Sequence, residues 1–222
     1  MARKPRTEEE IEIVKQNILD KSLELINEDG YNNFTMRKLA KKLNMTATPI
    51  YQYYNNKDEL YLAVLTQSFE NLYEIILNAY DSGNNPMDRL KSVGREYIKF
   101  GIDNANAYNI MLVLDVPKFY DYVGTPTEHI AFLELEAALK VIDFGKKVIK
   151  ESGLIKKELP TTSMATFQLL CAMHGFISFV NNKVADYILK PKLEKVNDEK
   201  VSDEIIEQFI DTAILQFKTL FQ

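Results

Sequence analysis

Apolar side chains recur at helical spacing almost from end to end of the chain. Ile11, Val14, Ile18, Leu25 and Ile26 fall on one stripe behind Thr7, a capping residue type, with Glu8, Glu9 and Glu10 in the first turn, where carboxylates favour the helix dipole. Gly30 ends that helix. Two short apolar faces follow. Thr35 to Leu43 carries Met36, Leu39, Ala40 and Leu43 on one side, and Thr46 to Tyr54 begins with Thr46 as cap and Pro49 in the first turn, where its missing N–H removes no helix bond. Neither reaches the roughly 12 to 15 residues that an isolated helix needs, so both depend on neighbours. Asn56 starts a fourth helix, with Glu59 three residues on in the manner of a capping box, running to about Tyr80. The spacing predicts further helices over 86–103, 105–115, 126–151, 161–189 and 203–221, with breaks at Asp81 to Pro86, Pro117, Gly124 to Pro126, Ser152 to Pro160 and Lys190 to Asp203. No alternating strand is longer than a few residues. The fold class is all-α: an N-terminal three-helix unit followed by a larger helical bundle.

Two helices carry more apolar surface than one neighbour covers. The last has Ile205, Ile206, Phe209, Ile210, Ala213, Ile214, Phe217, Leu220 and Phe221 on a broad stripe, and Met164 to Val180 holds 12 apolar residues of 17. The latter is short of the roughly 20 residues that a membrane span needs and is interrupted by polar side chains, so it reads as a buried helix and not as a membrane anchor. Together they suggest an isologous four-helix contact between two copies, with Phe167, Leu170, His174 and Ile177 from one helix and Ile206, Phe209, Ile210, Ala213 and Phe217 from the other. Two helices central to a monomer's core would give the same pattern.

Composition narrows the class. The 222 residues are 46% apolar and 27% charged, enough for a real core, which excludes disorder and low complexity. A lone Cys171 closes no intrachain disulfide, and Arg3, Lys4 and Arg6 lead into acids instead of an apolar run, so the expected compartment is the reducing cytoplasm. The net charge of −5 hides a division. Residues 1–57 hold 10 basic and 8 acidic side chains, residues 58–222 hold 17 and 24, and from Gly30 to Lys57 there is no acid at all. Arg37, Lys38, Lys41, Lys42 and Lys57, with the three cations of the N-terminal arm, fit a polyanionic partner there and nowhere else.

What those charges sit on gives the partner. Residues 35–57 read as helix, short turn, helix, with Leu39, Ala40, Leu43, Ile50 and Tyr54 packed inward and Thr46, Ala47, Thr48 and Pro49 outward as a slim leading end of the kind that enters a major groove. Arg37 and Lys38 stand in the first turn of a helix, where positive charge opposes the dipole. Lys57 repeats that misfit, and an anion docked at either place reverses its sign.

The run Thr35-Met-Arg-Lys-Leu-Ala, followed by Met45-Thr-Ala-Thr-Pro-Ile-Tyr51-Gln-Tyr-Tyr54-Asn-Asn-Lys57-Asp-Glu-Leu60, resembles the DNA-binding signature of the TetR family of bacterial transcriptional regulators over about residues 8–65. Gly30-Tyr31 and Phe34 fall at the same spacing. Asn44 departs from the Gly common in the turn, and Tyr54 stands where Phe is common. The resemblance implies that Thr35, Tyr51 and Lys57 hold phosphates, with Arg37 and Lys38 alongside. Thr46, Ala47, Thr48, Pro49, Gln52 and Tyr53 then face bases or the adjacent backbone. It implies a head over residues 1–56 (motif 35–54) and an effector-binding and dimerisation domain over 57–222. The function implied is repression from a palindromic double-stranded operator bound by a homodimer and released by a small apolar or amphipathic ligand. Ala172-Met-His174-Gly175-Phe176 is similar to the Trp-His-Gly stretch of one subfamily, with Met173 in place of Trp.

Nothing in the chain suggests catalysis. Its two histidines stand 45 residues apart, it has neither HExxH nor GxSxG nor a glycine-rich phosphate loop, and Glu134 and Glu136 lie two apart on different helix faces and read as solvated. No metal or cofactor site is expected. Leu72, Ile76, Tyr97, Phe100, Met111, Phe119, Phe132, Leu135, Leu139 and Phe167 could line an apolar effector pocket, although pocket and core residues look alike at helical spacing. A regulator controlled by protein partners, with no small ligand, is the alternative.

Overall fold

The computed structural model describes residues 7–155, 161–189 and 201–221, so the arm carrying Arg3, Lys4 and Arg6 and most of the polar stretch after Lys190 lie outside it. Among the described residues there are eleven α-helices, one 3-10 turn and no strand. Grouped by contact they form two compact units. One joins the residues up to Glu70 with Asn106–Ala138, the other joins Asn71–Ala105 with the residues from Leu139 onward. This grouping differs from the division at residue 56 that the sequence suggests, because residues 106–138 pack with the N-terminal helices.

In the first unit, α1 (Glu8–Asp29) opens with a complete capping box: Thr7 Oγ1 accepts from Glu10 N at 3.2 Å and Glu10 Oε2 accepts from Thr7 N at 2.9 Å. Gly30 closes the helix at φ 76°, a left-handed value that a side chain would resist. Tyr31–Asn33 make the 3-10 turn, α2 is Met36–Lys42 and α3 is Thr48–Tyr51. Ile18, Ile26, Phe34, Leu39, Ile50 and Leu60 are essentially inaccessible and form the core between these helices and the start of α4 (Lys57–Ser82). The unit is completed by α6 (Ala105–Leu112), α7 (Phe119–Tyr122) and the first part of α8 (Glu128–Glu151). The sequence reading has no counterpart of α7, a single turn too short to show a period.

In the second unit, α5 (Pro86–Asp103) packs on α9 (Thr162–Asn181) and α11 (Asp203–Phe221). Asn85 caps α5, its Oδ1 accepting from Met87 N and Asp88 N, both at 3.0 Å. Lys91 with Asp211 at 2.6 Å, Arg95 with Glu207, and Lys99 with Asp203 at 2.9 Å pair α5 to α11 at three successive turns, running in opposite directions. Leu90, Val93 and Tyr97 face inward beside this row, with Ile206, Ile210, Ile214 and Phe217 of α11. Those four residues of the α11 stripe are thus buried within its own unit, while Ile205, Phe209 and Ala213 are half-buried. The helix expected over 161–189 is two, because Lys183 adopts φ 59° and separates α9 from α10 (Val184–Leu189).

The expectation that Met164 to Val180 is buried is corrected. Only Ala165, Thr166, Leu169 and Ile177 of α9 are buried, while Met164, Phe167 and Phe179 are 49%, 61% and 49% exposed. By length and composition α9 is the one described helix able to cross a membrane, a test that the core helix of a soluble protein also passes.

Candidate nucleic-acid interface

The turn that separates α2 from α3 is built by Asn44. Its φ of 53° is left-handed, Asn44 N donates to Lys41 O at 3.1 Å, and Met45 N donates to Ala40 O at 3.0 Å. These are the two bonds of a Schellman end. Asn serves where Gly is more common because its short side chain tolerates that region. Thr35 caps α2, its Oγ1 accepting from Lys38 N at 3.2 Å, which leaves its hydroxyl proton free to donate outward.

Thr46 does not cap α3. Ala47 holds the cap position with no side-chain hydrogen bond, and the helix proper is Thr48–Tyr51, shorter than the expected 46–54. Pro49 still lies in its first turn. Helical bonding continues past Tyr51, since Tyr54 N donates to Ile50 O at 3.1 Å, so Gln52 and Tyr53 keep the path of the helix. Thr46, Thr48, Tyr51 and Gln52 are exposed, and Ala47, Pro49 and Tyr53 are half-buried. This one turn is anchored by the fully buried Ile50, and Thr46, Thr48 and Gln52 are the most open of the residues expected to face bases.

The flanking cations are less uniform than the sequence suggests. Lys38 Nζ sits 2.6 Å from Asp29, and Lys42 Nζ sits 2.7 Å from Glu28 and 3.4 Å from Glu24, so its ammonium is held above its usual range by the bond to Glu28. The dipole misfit of Lys38 is therefore offset in part from within, by an acid at the end of α1. Glu28 and Asp29 are themselves misfits there, in a last turn with no basic residue, and that pairing of opposite misfits was a signal present in the sequence. Arg37 and Lys41 remain exposed, and Lys57 rests its Nζ 4.3 Å from the centroid of the Tyr31 ring. Asn56 caps α4 by accepting from Glu59 N at 2.8 Å, while Glu59 reaches back to Asn55 N at 2.9 Å, one residue earlier than a capping box requires.

The residues expected to line a pocket fall in both units. Leu72, Ile76, Tyr97 and Phe100 are buried in the second, Met111 is buried in the first with Leu135 half-covered, and Phe132 and Phe167 are 48% and 61% exposed. Of the expected contact between copies, Ile177, Ile206, Ile210 and Phe217 are buried within their own unit, Leu170, His174, Phe209 and Ala213 are half-buried, and Phe167 is open. Glu134, read as solvated, is buried at 7% exposure, and burial raises its carboxyl above the usual range against the opposing pull of Lys118. Glu136 is exposed.

A sequence model of the bacterial regulatory proteins of the tetR family matches residues 18–64, which span most of α1, the turn, α2, α3 and the start of α4. Over those residues the chain is similar to the N-terminal domain of that family. It is 26% identical over 102 residues to the negative transcriptional regulator IcaR of the biofilm operon icaADBC of Staphylococcus epidermidis, a match covering 42% of this chain and 55% of that protein. IcaR of Staphylococcus aureus strain Newman is 27% identical over 85 residues, 38% of this chain and 46% of that one. The chain thus spans about half the length of the curated relatives it matches. Among solved structures, a bacterial regulatory protein of the tetR family from Rhodococcus RHA1 superposes with a TM-score of 0.65 at 17% identity, covering 91% of this chain and 96% of that one, a likeness of fold. The named relatives are transcription regulators and not enzymes, in agreement with the expectation from sequence.

Proposed function

We propose that the protein is a sequence-specific DNA-binding repressor that acts as a homodimer on a palindromic operator. The observation that carries this reading is the head itself: Thr46, Thr48 and Gln52 stand exposed on and beside the one-turn α3, over a fixed core and within the residues that match the family model. A narrow leading end with small side chains suits the major groove, and Thr35, Tyr51, Arg37 and Lys57 are set beside it for phosphates. Lys38 and Lys42 contribute less, because acids of α1 already hold them.

The contact between copies is reassigned. Met164, Phe167, Cys171, Gly175 and Phe179 share one side of α9, which leaves an apolar stripe of about four turns, half-buried only at Gly175, to meet its own copy. In this reading two heads take half-sites one helical turn or a multiple of it apart, about 34 to 36 Å per turn. A small apolar ligand in the second unit that prefers another spacing lowers DNA affinity by linkage.

The test is selection from random duplex followed by fluorescence anisotropy against scrambled DNA. Preference for a recovered site by about 10³ or more supports the reading, and equal binding to both refutes it. On that site Gln52→Ala is expected to change which sequence is preferred, at roughly 1 to 3 kcal/mol.

A further inference from the structure

Three tyrosines far apart in the sequence meet inside the first unit. Tyr31 of the 3-10 turn is 8% exposed, Tyr61 of α4 is inaccessible and Tyr122 of α7 is 5% exposed. The Tyr31 hydroxyl donates to Asp58 Oδ1 in a short bond, and lies 3.5 Å from the Tyr122 hydroxyl. A phenol has one hydrogen. Since that of Tyr31 goes to Asp58, the contact with Tyr122 has Tyr122 donating. The Tyr31 and Tyr61 rings stand 4.8 Å apart at 60°, and the Tyr61 hydroxyl donates to Pro117 O at 3.2 Å. Residues 117–122 are thus held at both ends by the N-terminal helices, at Pro117 through Tyr61 and at Tyr122 through Tyr31. Burial raises all three phenols, Tyr122 to about 12, so they stay neutral donors at any ordinary pH.

The same ring ends at the candidate interface. Lys57, at the first position of α4, has its ammonium 4.3 Å from the centroid of Tyr31, and Asp58 is the next residue. Two neighbours in the first turn of α4 are therefore placed by one tyrosine, one through its hydroxyl and the other through its ring face. The tyrosine is in turn touched by Tyr122 at a distance near the limit for a hydrogen bond. A contact that long is lost with a shift of a few tenths of an ångström, which leaves the Tyr31 hydroxyl bonded to Asp58 alone.

We propose that Tyr122 is a positioning residue for the head: by donating to Tyr31 it fixes the ring on which Lys57 rests, so that α7 and the loop before it set the reach of a phosphate-binding lysine. This deepens the reading above and rests on Lys57 as a phosphate contact. Movement of residues 117–122 then alters DNA affinity without touching α2 or α3.

The experiment uses the full chain and the duplex selected with it, and compares wild type, Tyr122→Phe, Lys57→Ala and the double variant. Tyr122→Phe keeps the ring and removes only the donor, so it is expected to fold. DNA binding should weaken about three- to tenfold, in line with one hydrogen bond, with a shallower dependence on salt, and should show no further loss when Lys57 is already Ala. A general loss of stability would lower affinity equally in the Lys57→Ala background and leave the salt slope alone, so either of those results, or unchanged binding in Tyr122→Phe, overturns the proposal. Amide exchange reads the tether without DNA: Tyr122→Phe should speed exchange in Tyr31–Phe34 and in the first turn of α4. Unchanged exchange there overturns the tether even if wild type binds no specific duplex, an outcome that by itself refutes only the function proposed above.

Discussion

At the scale of single residues, Glu134 shows how a carboxylate two positions from another becomes a different chemical group. Its neighbour Glu136 is in water, whereas Glu134 is 7% exposed and close enough to Tyr61, Tyr122 and Lys118 to be felt by each. Burial favours its neutral form, so the folded protein holds the proton more tightly than the unfolded chain does. Below the ordinary value of 4.5 both states are protonated and there is no penalty. As pH rises past 4.5 the unfolded chain ionises first, and stability falls until the raised folded value is passed. Glu134→Gln keeps the shape and cannot ionise. It should therefore melt at a higher temperature than wild type at pH 7.5, with the difference shrinking towards pH 4 in paired thermal scans. A pH-independent difference, or a lower melting temperature at both, would show that the carboxylate is satisfied where it stands. Nothing in the sequence marked this residue, because its burial near Lys118, Tyr61 and Tyr122 brings together segments that no local pattern connects.

At the scale of elements, the pairing of α5 with α11 rests on small residues and ion pairs together. Gly94 lies mid-helix on α5, and a methyl placed on it would sit 4.0 Å from Ile210 Cδ1, an ordinary contact. Gly94→Ala should consequently stabilise the fold by about 0.5 to 1 kcal/mol, through the helix preference of alanine alone. Gly83→Ala should do the reverse, since its methyl would stand 2.6 Å from Arg89 Cγ and 2.9 Å from Arg89 backbone atoms. Urea titrations of the two variants check both signs, and destabilisation by Gly94→Ala would mean that α5 and α11 lie closer at Gly94 than this 4.0 Å contact allows. Most of these elements were legible in the sequence. The spans 86–103 and 203–221, the Thr7 and Asn56 caps and the Gly30 stop all came from local chemistry that the fold leaves in place. What escaped was set by packing: the single turn of α7, the break at Lys183 where a lysine takes a left-handed conformation, and the absence of a Thr46 cap. The tyrosine bridge joins residues 27 and 91 positions apart, which no period connects.

At the scale of the whole molecule, the open side of α9 and the exposed surface of α3 are the two surfaces on which the proposed dimeric DNA binder rests. A single head with a four-residue reading helix and part of its cations held by its own acids has little with which to select a site. Joining two heads makes the second half-site contact intramolecular, and raises affinity by about 10² to 10⁴ without a new contact in either head. The apolar stripe through Met164, Phe167 and Phe179 is the more exposed surface for that joining, since Ile206, Ile210, Ile214 and Phe217 of α11 are buried within the chain. Phe167 is 61% exposed, so Phe167→Glu leaves the packing within the chain alone and places a charge in the middle of the contact. The expected outcome is a variant that sediments at the 25.6 kDa of one chain, keeps wild-type affinity for a duplex carrying one half-site, and loses the advantage on two. Sedimentation equilibrium and anisotropy on the two duplexes measure these separately. A Phe167→Glu protein that stays dimeric would move the contact off this side of α9, and a wild type that gains nothing from the second half-site would leave the heads acting singly.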